Sequence, residues 1–177
     1  MPITLIALDE WITTIQEGGS KTMPNRTAAK AMLNPGFDVI ETIATSLVEH
    51  AAGIERDLLS KSLQETLLSC AGFDTDIDYQ QIESRLARFL ARRGKGSLIQ
   101  RFLSLYFFNS VWFETGESFR ALAPTSASFE NDMDEVDKMC QRVVASTWKS
   151  HQLKTRPLDM SAAQELVQNI EEQLRGA

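Results

Sequence analysis

The sequence predicts an all-α protein, a single-domain bundle of about six to eight helices around a buried central helix at about residues 97–114. Three observations predict it. The stretch from Leu98 to Phe113, LIQRFLSLYFFNSVWF, holds eleven large apolar or aromatic side chains in sixteen residues. Wound at the helical period they cover every face, and a helix apolar all round must be enclosed, or must lie against another chain or a lipid. The segments on either side carry apolar residues at three- and four-residue spacing, as amphipathic helices do. No segment alternates with period two for long enough to form a strand, and there is no internal repeat or low-complexity tract.

Taken in order, residues 3–17 place Leu5, Leu8, Trp11, Ile12 and Ile15 at helical spacing, and Gly18-Gly19 stops them. The segment GGSKTMPNR is rich in turn formers and reads as an exposed loop or linker. A short helix at 27–33 is expected next, ended by Asn34-Pro35-Gly36 because proline disfavours a helical residue before it. Residues 1–36 are thus read as an N-terminal helix plus loop or arm, and residues 37–177 as the bundle core.

From Phe37, the residues Ile40, Ile43, Ala44, Leu47, Val48 and Ala51 form one stripe, with Asp38 and Glu41 placed like a capping pair. Gly53 kinks or ends this helix. Leu58, Leu59, Leu63, Leu67 and Leu68 make the next, and Gly72 stands where a left-handed stop is wanted, with Phe73 able to fold back on the last turn. Residues 78–93 set Ile82, Leu86, Phe89 and Leu90 against Arg85, Arg88, Arg92 and Arg93. Gly94-Lys95-Gly96 breaks that helix, and Ser97 is placed to cap the central one. The central helix either frays after Glu114 or runs on to Ala123, and PTSAS at 124–128 reads as a loop. A long amphipathic helix follows from Phe129 to Trp148, with Met133, Val136, Cys140, Val143 and Val144 on its apolar side. After the polar turn KTRPLD, a last helix at 160–174 buries Ala163, Leu166, Val167, Ile170 and Leu174, and Ser161 with Gln164 offers a capping box.

A chain of 177 residues can bury enough core to need no disulfide or metal staple. Its 43% hydrophobic and 24% charged residues place it among globular proteins and exclude a mainly disordered chain. The net charge of −6 argues against a protein built to grip a phosphate backbone. Cys70 and Cys140 lack metal-ligand spacing and fall on the apolar sides of helices, where a free cysteine serves as a small hydrophobe. MPITLIALDEW has no basic residue before its short apolar run, unlike a secretory signal, so a cytoplasmic location is expected. The central stretch is short for a membrane span and is interrupted by Arg101 and Asn109.

Few patterns suggest chemistry. Asp74, Asp76 and Asp78 alternate as in a calcium loop, but its sixth and twelfth positions hold Tyr79 and Arg85 where Gly and Glu are required. The same acids serve equally well at the start of the following helix, where Asp78 is a cap. Arg85, Arg88, Arg92, Arg93, Lys95 and Arg101 are six of the 18 Lys and Arg packed into 17 residues, and form a candidate anion-binding patch. GKGS is not a P-loop, since Phe89 stands where the motif needs its first glycine. The same cations also complement a helix C-terminus, or would meet the acidic run Glu130, Asp132, Asp134, Glu135 and Asp137 within the chain or across a dimer. His50 and His151 have no metal-ligand spacing, and no nucleophile elbow is present, so the sequence predicts no catalytic residue, metal or cofactor.

The aromatic cluster Tyr106, Phe107, Phe108, Trp112 and Phe113, with Phe119 beyond, is either core or a surplus apolar face. As a surplus face it makes Tyr106, Phe108, Asn109 and Trp112 the candidate ligand or interface residues. The expected function is a non-catalytic helical interaction or regulatory module that self-associates into a homo-oligomer, with an unnamed protein partner. The alternative is a helical domain that binds a small apolar ligand with an acidic head. Nucleic-acid binding through residues 85–101 is the least favoured expectation.

Overall fold

A computed structural model describes residues 1–17, 37–72, 79–151 and 158–176. The described residues form seven helices and no strand: α1 (Pro2–Gln16), α2 (Phe37–Leu47), α3 (Gly53–Ala71), α4 (Tyr79–Arg93), α5 (Lys95–Leu122), α6 (Ser126–Ser150) and α7 (Met160–Arg175). The all-α bundle expected from helical periodicity is the fold observed. The loop at 18–26, the helix at 27–33, the turn at 34–36, the Asp38 cap, the fold-back of Phe73 and the acidic run Asp74–Asp78 lie outside the described residues or side chains.

Two helices share the centre. The first half of α5 buries Leu98, Ile99, Phe102 and Leu103 completely, and α5 touches α1, α3, α4 and α6. The second is α1, whose Leu5, Leu8 and Ile12 are fully buried and which touches α2, α4, α5 and α7. Around them the same row of four-residue steps recurs: Leu59, Leu63 and Leu67 on α3; Ile82, Leu86 and Leu90 on α4; Cys140, Val144 and Trp148 on α6. Residues four apart lie one above the other on a helix, so each row is a ridge that fills a neighbour's groove. Each fully buried Leu or Ile contributes roughly 1.5–3 kcal/mol.

The helix ends differ in part from expectation. Gly72 follows α3 with φ +89° and ψ 150°, a positive-φ conformation that favours glycine but lies outside the left-handed helical well expected of the stop. Gly94 alone, at φ +77°, separates α4 from α5. Gly96 lies inside α5, where the Trp148 indole packs so close that an added Cβ would lie 3.2 Å from the ring. Ser97 does not cap α5: its hydroxyl donates to the Arg93 carbonyl at 2.7 Å, and the N-cap is Gly94. The expected loop at 124–128 contributes instead a capping box, with Thr125 and Ser128 each bonding the other's backbone N–H at the start of α6. At α7 the cap is Asp159, whose Oδ1 accepts from the Ala162 N–H at 2.8 Å, in place of the expected Ser161.

Polar groups inside the bundle are tied across helices. The buried Thr4 hydroxyl is 2.9 Å from His50 Nε2. Lys95 Nζ lies 2.9 Å from Asp9 Oδ1, joining the start of α5 to α1. Among the described residues no helix is long and apolar enough to cross a membrane.

Candidate functional site

α5 changes character along its length. From Leu98 to Asn109 every side chain is buried or half-buried. Beyond Val111 most are exposed, and these include Trp112 (37%), Phe113 (58%), Phe119 (37%) and Leu122 (84%). This distal half packs on the start of α6, where Trp112 and Arg120 both meet Phe129. Gly116 is buried there, and its missing side chain lets the Trp112 indole lie within 3.4 Å of where a Cβ would stand. The indole tilts against Phe129 of α6 with centroids 5.3 Å apart, and the Arg120 guanidinium sits 5.4 Å above the same ring. Phe129 and Met133 are buried, yet they stand apart from the main core cluster. The two half-helices therefore make a hairpin with its own small core.

On that hairpin, Trp112, Phe119 and Leu122 fall within an arc of about 80° on α5, and Phe113 stands about 100° from Trp112 in the other direction, opposite Leu122. Glu130, Asp132, Asp134 and Glu135 are exposed on α6 beside them. In this acidic run Glu135 pairs with Lys138 at 2.8 Å, which holds its carboxyl below the usual range, and Asp137 accepts from Gln141. Among the described residues none of the predicted anion-binding cations forms an ion pair with this run, so the two patches do not neutralise each other within one chain.

The four residues singled out on the central helix do not form one site. Asn109 is buried, and its Nδ2 donates to Ser62 Oγ and Glu65 Oε2 of α3, both at 3.1 Å. Its amide donors are thus engaged between helices. Tyr106 lines a cavity of about 230 Å³ between α5 and α7, together with Ser110, Glu114, Glu171 and Arg175. Burial pushes its phenol pKa up, and the carboxylate of Glu55 adds to that. Phe107, Val111 and Leu174 complete its walls, so apolar and charged groups share the cavity. Phe108 is half-buried against the core. Trp112 alone of the four belongs to the exposed edge. Leu122 and Phe129 escaped sequence reasoning because one lies past the nearer of the two expected helix ends and the other opens an ordinary amphipathic pattern.

The arginines gather better. Arg85, Arg88, Arg92 and Arg93 line an open cleft of about 620 Å³ between α4 and the end of α3, with Phe89, Cys70 and Ala71 completing its wall. Arg85 Nη1 donates to the Ala71 carbonyl at 3.3 Å, a cation set at the negative pole of α3. Arg88 Nε reaches only its own helix, at the Ser84 carbonyl. Arg92 and Arg93 stand in the last turn of α4. Lys95 is drawn away to Asp9, and Arg101 does not line the cleft, although its charge acts on the Cys70 thiol.

Cys70 is half-exposed, and burial raises its thiol pKa. Cys140 is fully buried and its thiol is pushed up to about 11 by burial first and by Asp137 second. Neither environment favours a thiolate nucleophile. Among the described residues no three His, Cys, Asp or Glu side chains are grouped as metal ligands. Comparison with family models, with curated proteins and with solved structures finds no match.

Proposed function

We propose that this chain is a non-catalytic helical interaction module that associates with a second copy of itself through the α5–α6 hairpin. The observation that carries this reading is the exposed apolar edge of Trp112, Phe119 and Leu122. Large apolar side chains grouped on a surface are costly to leave in water, and aromatic residues are the ones interfaces favour. The edge belongs to helices fixed by their own small core, so it is ready to dock without being ordered first. Self-association also fits the charge pattern, because one chain carries an acidic patch and an arginine cleft that do not meet within it.

The test is native mass spectrometry and light scattering over a concentration series, comparing wild type with Phe119→Glu/Leu122→Glu and, as a control on the other side of α5, with Phe113→Glu. All three side chains are exposed, so the variants should retain wild-type helicity by circular dichroism. A wild-type dimer that Phe119→Glu/Leu122→Glu converts to monomer supports the proposal. A wild-type protein that stays monomeric at the highest concentration overturns it, as does a dimer that ignores the double variant.

A further inference from the structure

We infer, independently of the hairpin and of self-association, that the cleft between α4 and the end of α3 is a binding site for a small polyphosphate-bearing anion. Four guanidinium groups fall within nine residues, and helical spacing puts Arg85, Arg88 and Arg92 in one row with Phe89 between them. Like charges four residues apart, as at Arg88 and Arg92, repel each other, so the exposed pair gains most from a ligand that brings several negative charges together. The cleft measures about 620 Å³, inside the roughly 300–1,000 Å³ typical of small-molecule sites.

The cations are also differently employed. Arg85 is held on the Ala71 carbonyl and lies against Gly72, where an added Cβ would be 3.4 Å from Nη1. It serves the helix end and fixes one side of the cleft. Arg88, Arg92 and Arg93 are exposed and, among the described residues, form no ion pair. A guanidinium offers paired N–H donors that match two phosphate oxygens, and these three are available for that geometry. Phe89, half-buried between them, adds an apolar surface that an inorganic phosphate would not use and the base of a nucleotide would. The site thus suits a chain of two or three phosphates, free or carried on a nucleoside. Its wall also contains a built-in reporter, the half-exposed Cys70.

The experiment titrates inorganic tripolyphosphate, and ATP in parallel, into the full chain at low salt. Calorimetry reads the affinity and a neutral maleimide reads the labelling rate of Cys70. Saturable one-to-one binding, slower Cys70 labelling and a Tm rise of about 5 °C at saturation are expected. Arg88→Gln/Arg92→Gln should weaken binding at least tenfold with unchanged helicity, and affinity should fall as salt rises. Tighter binding of ATP than of tripolyphosphate would identify the nucleoside form, and equal binding the bare phosphates. No saturable binding at millimolar ligand overturns the inference, and so does binding that survives the double variant. Two further results would reassign the cleft and overturn it equally. One is duplex DNA binding more tightly than either small anion. The other is loss of self-association in the arginine variant with no loss of anion binding, which would make the cleft the seat of another copy's acidic hairpin.

Discussion

Asn109 on α5 reaches across the core to Ser62 on α3, with its Nδ2 at 3.1 Å from the Ser62 hydroxyl oxygen. The same nitrogen donates to Glu65, and the Ser62 hydroxyl donates its own proton to the Leu58 carbonyl at 2.7 Å. Asn109→Ala leaves Ser62 that bond and leaves Glu65 in contact with water, so no charge is stranded. The loss should be about 1–2 kcal/mol, the size of a pair of net hydrogen bonds. Asn109→Asp should lose more, about 3 kcal/mol at pH 7, because it sets a carboxylate against Glu65 in a partly dry site. Urea denaturation of both variants checks the order, and equal stabilities would exclude the electrostatic account.

Gly94 and Gly96 predict opposite kinds of damage. At φ +77° and with nothing within 4 Å of an added Cβ, Gly94→Ala meets no side chain and suffers backbone strain alone, about 1–3 kcal/mol. Gly96→Ala has an ordinary helical backbone but meets the buried Trp148 indole, whose ring must shift. Because Ala is the better helix former by about 1 kcal/mol, the two effects largely cancel. Near-ultraviolet circular dichroism should therefore change in Gly96→Ala and not in Gly94→Ala, while the thermal midpoint falls further in Gly94→Ala.

His50 makes stability depend on pH. Its pKa is lowered, first by burial and then by the N-terminal amine, while Glu55 and Glu49 oppose the shift. The neutral ring is the form that suits the folded state beside Thr4. Since the unfolded ring binds its proton more readily, this contribution is complete above the unfolded value of 6.5 and is lost as pH falls through the lower folded value. Thermal midpoints measured from pH 7.5 down to 5.5 should decline in wild type and decline less in His50→Gln. Parallel curves would remove His50 from the account.

The two thiols should be told apart by labelling. Cys70 should react with maleimide in the folded protein, slowly, whereas Cys140 should react only after denaturant is added. Raising the pH from 7 to 9 should not bring Cys140 in, because its thiol titrates near 11 and the residue has no exposed surface. Counting adducts by mass before and after unfolding settles the point. Two adducts on the folded chain would contradict it.

The fold was legible because helical periodicity is a local property: the rows at Leu59–Leu67 and Ile82–Leu90 can be read without knowing their neighbours. The use of α5 was not legible in the same way. Trp112 and Phe102 are both large aromatics in one apolar run, and the packing of the neighbouring helices decides that Phe102 is wholly covered and Trp112 only in part. The caps failed for a related reason. Ser97, Ser161 and Thr125 are all competent side chains, and the backbone turn before each helix selects which is used. For the cleft, sequence spacing found the arginines, but not that Lys95 leaves the group for Asp9 or that Cys70 joins it.

α5 continues for 28 residues without a break, about 42 Å at the helical rise. Its root at Phe102 is clamped on all sides and its tip at Leu122 stands almost free. It is in effect a cantilever. The bearing of the tip is set when the core folds, so under the proposed self-association a second copy would meet an arm already fixed in angle. Substitutions along the exposed edge can then change the surface of the arm while leaving the clamp untouched.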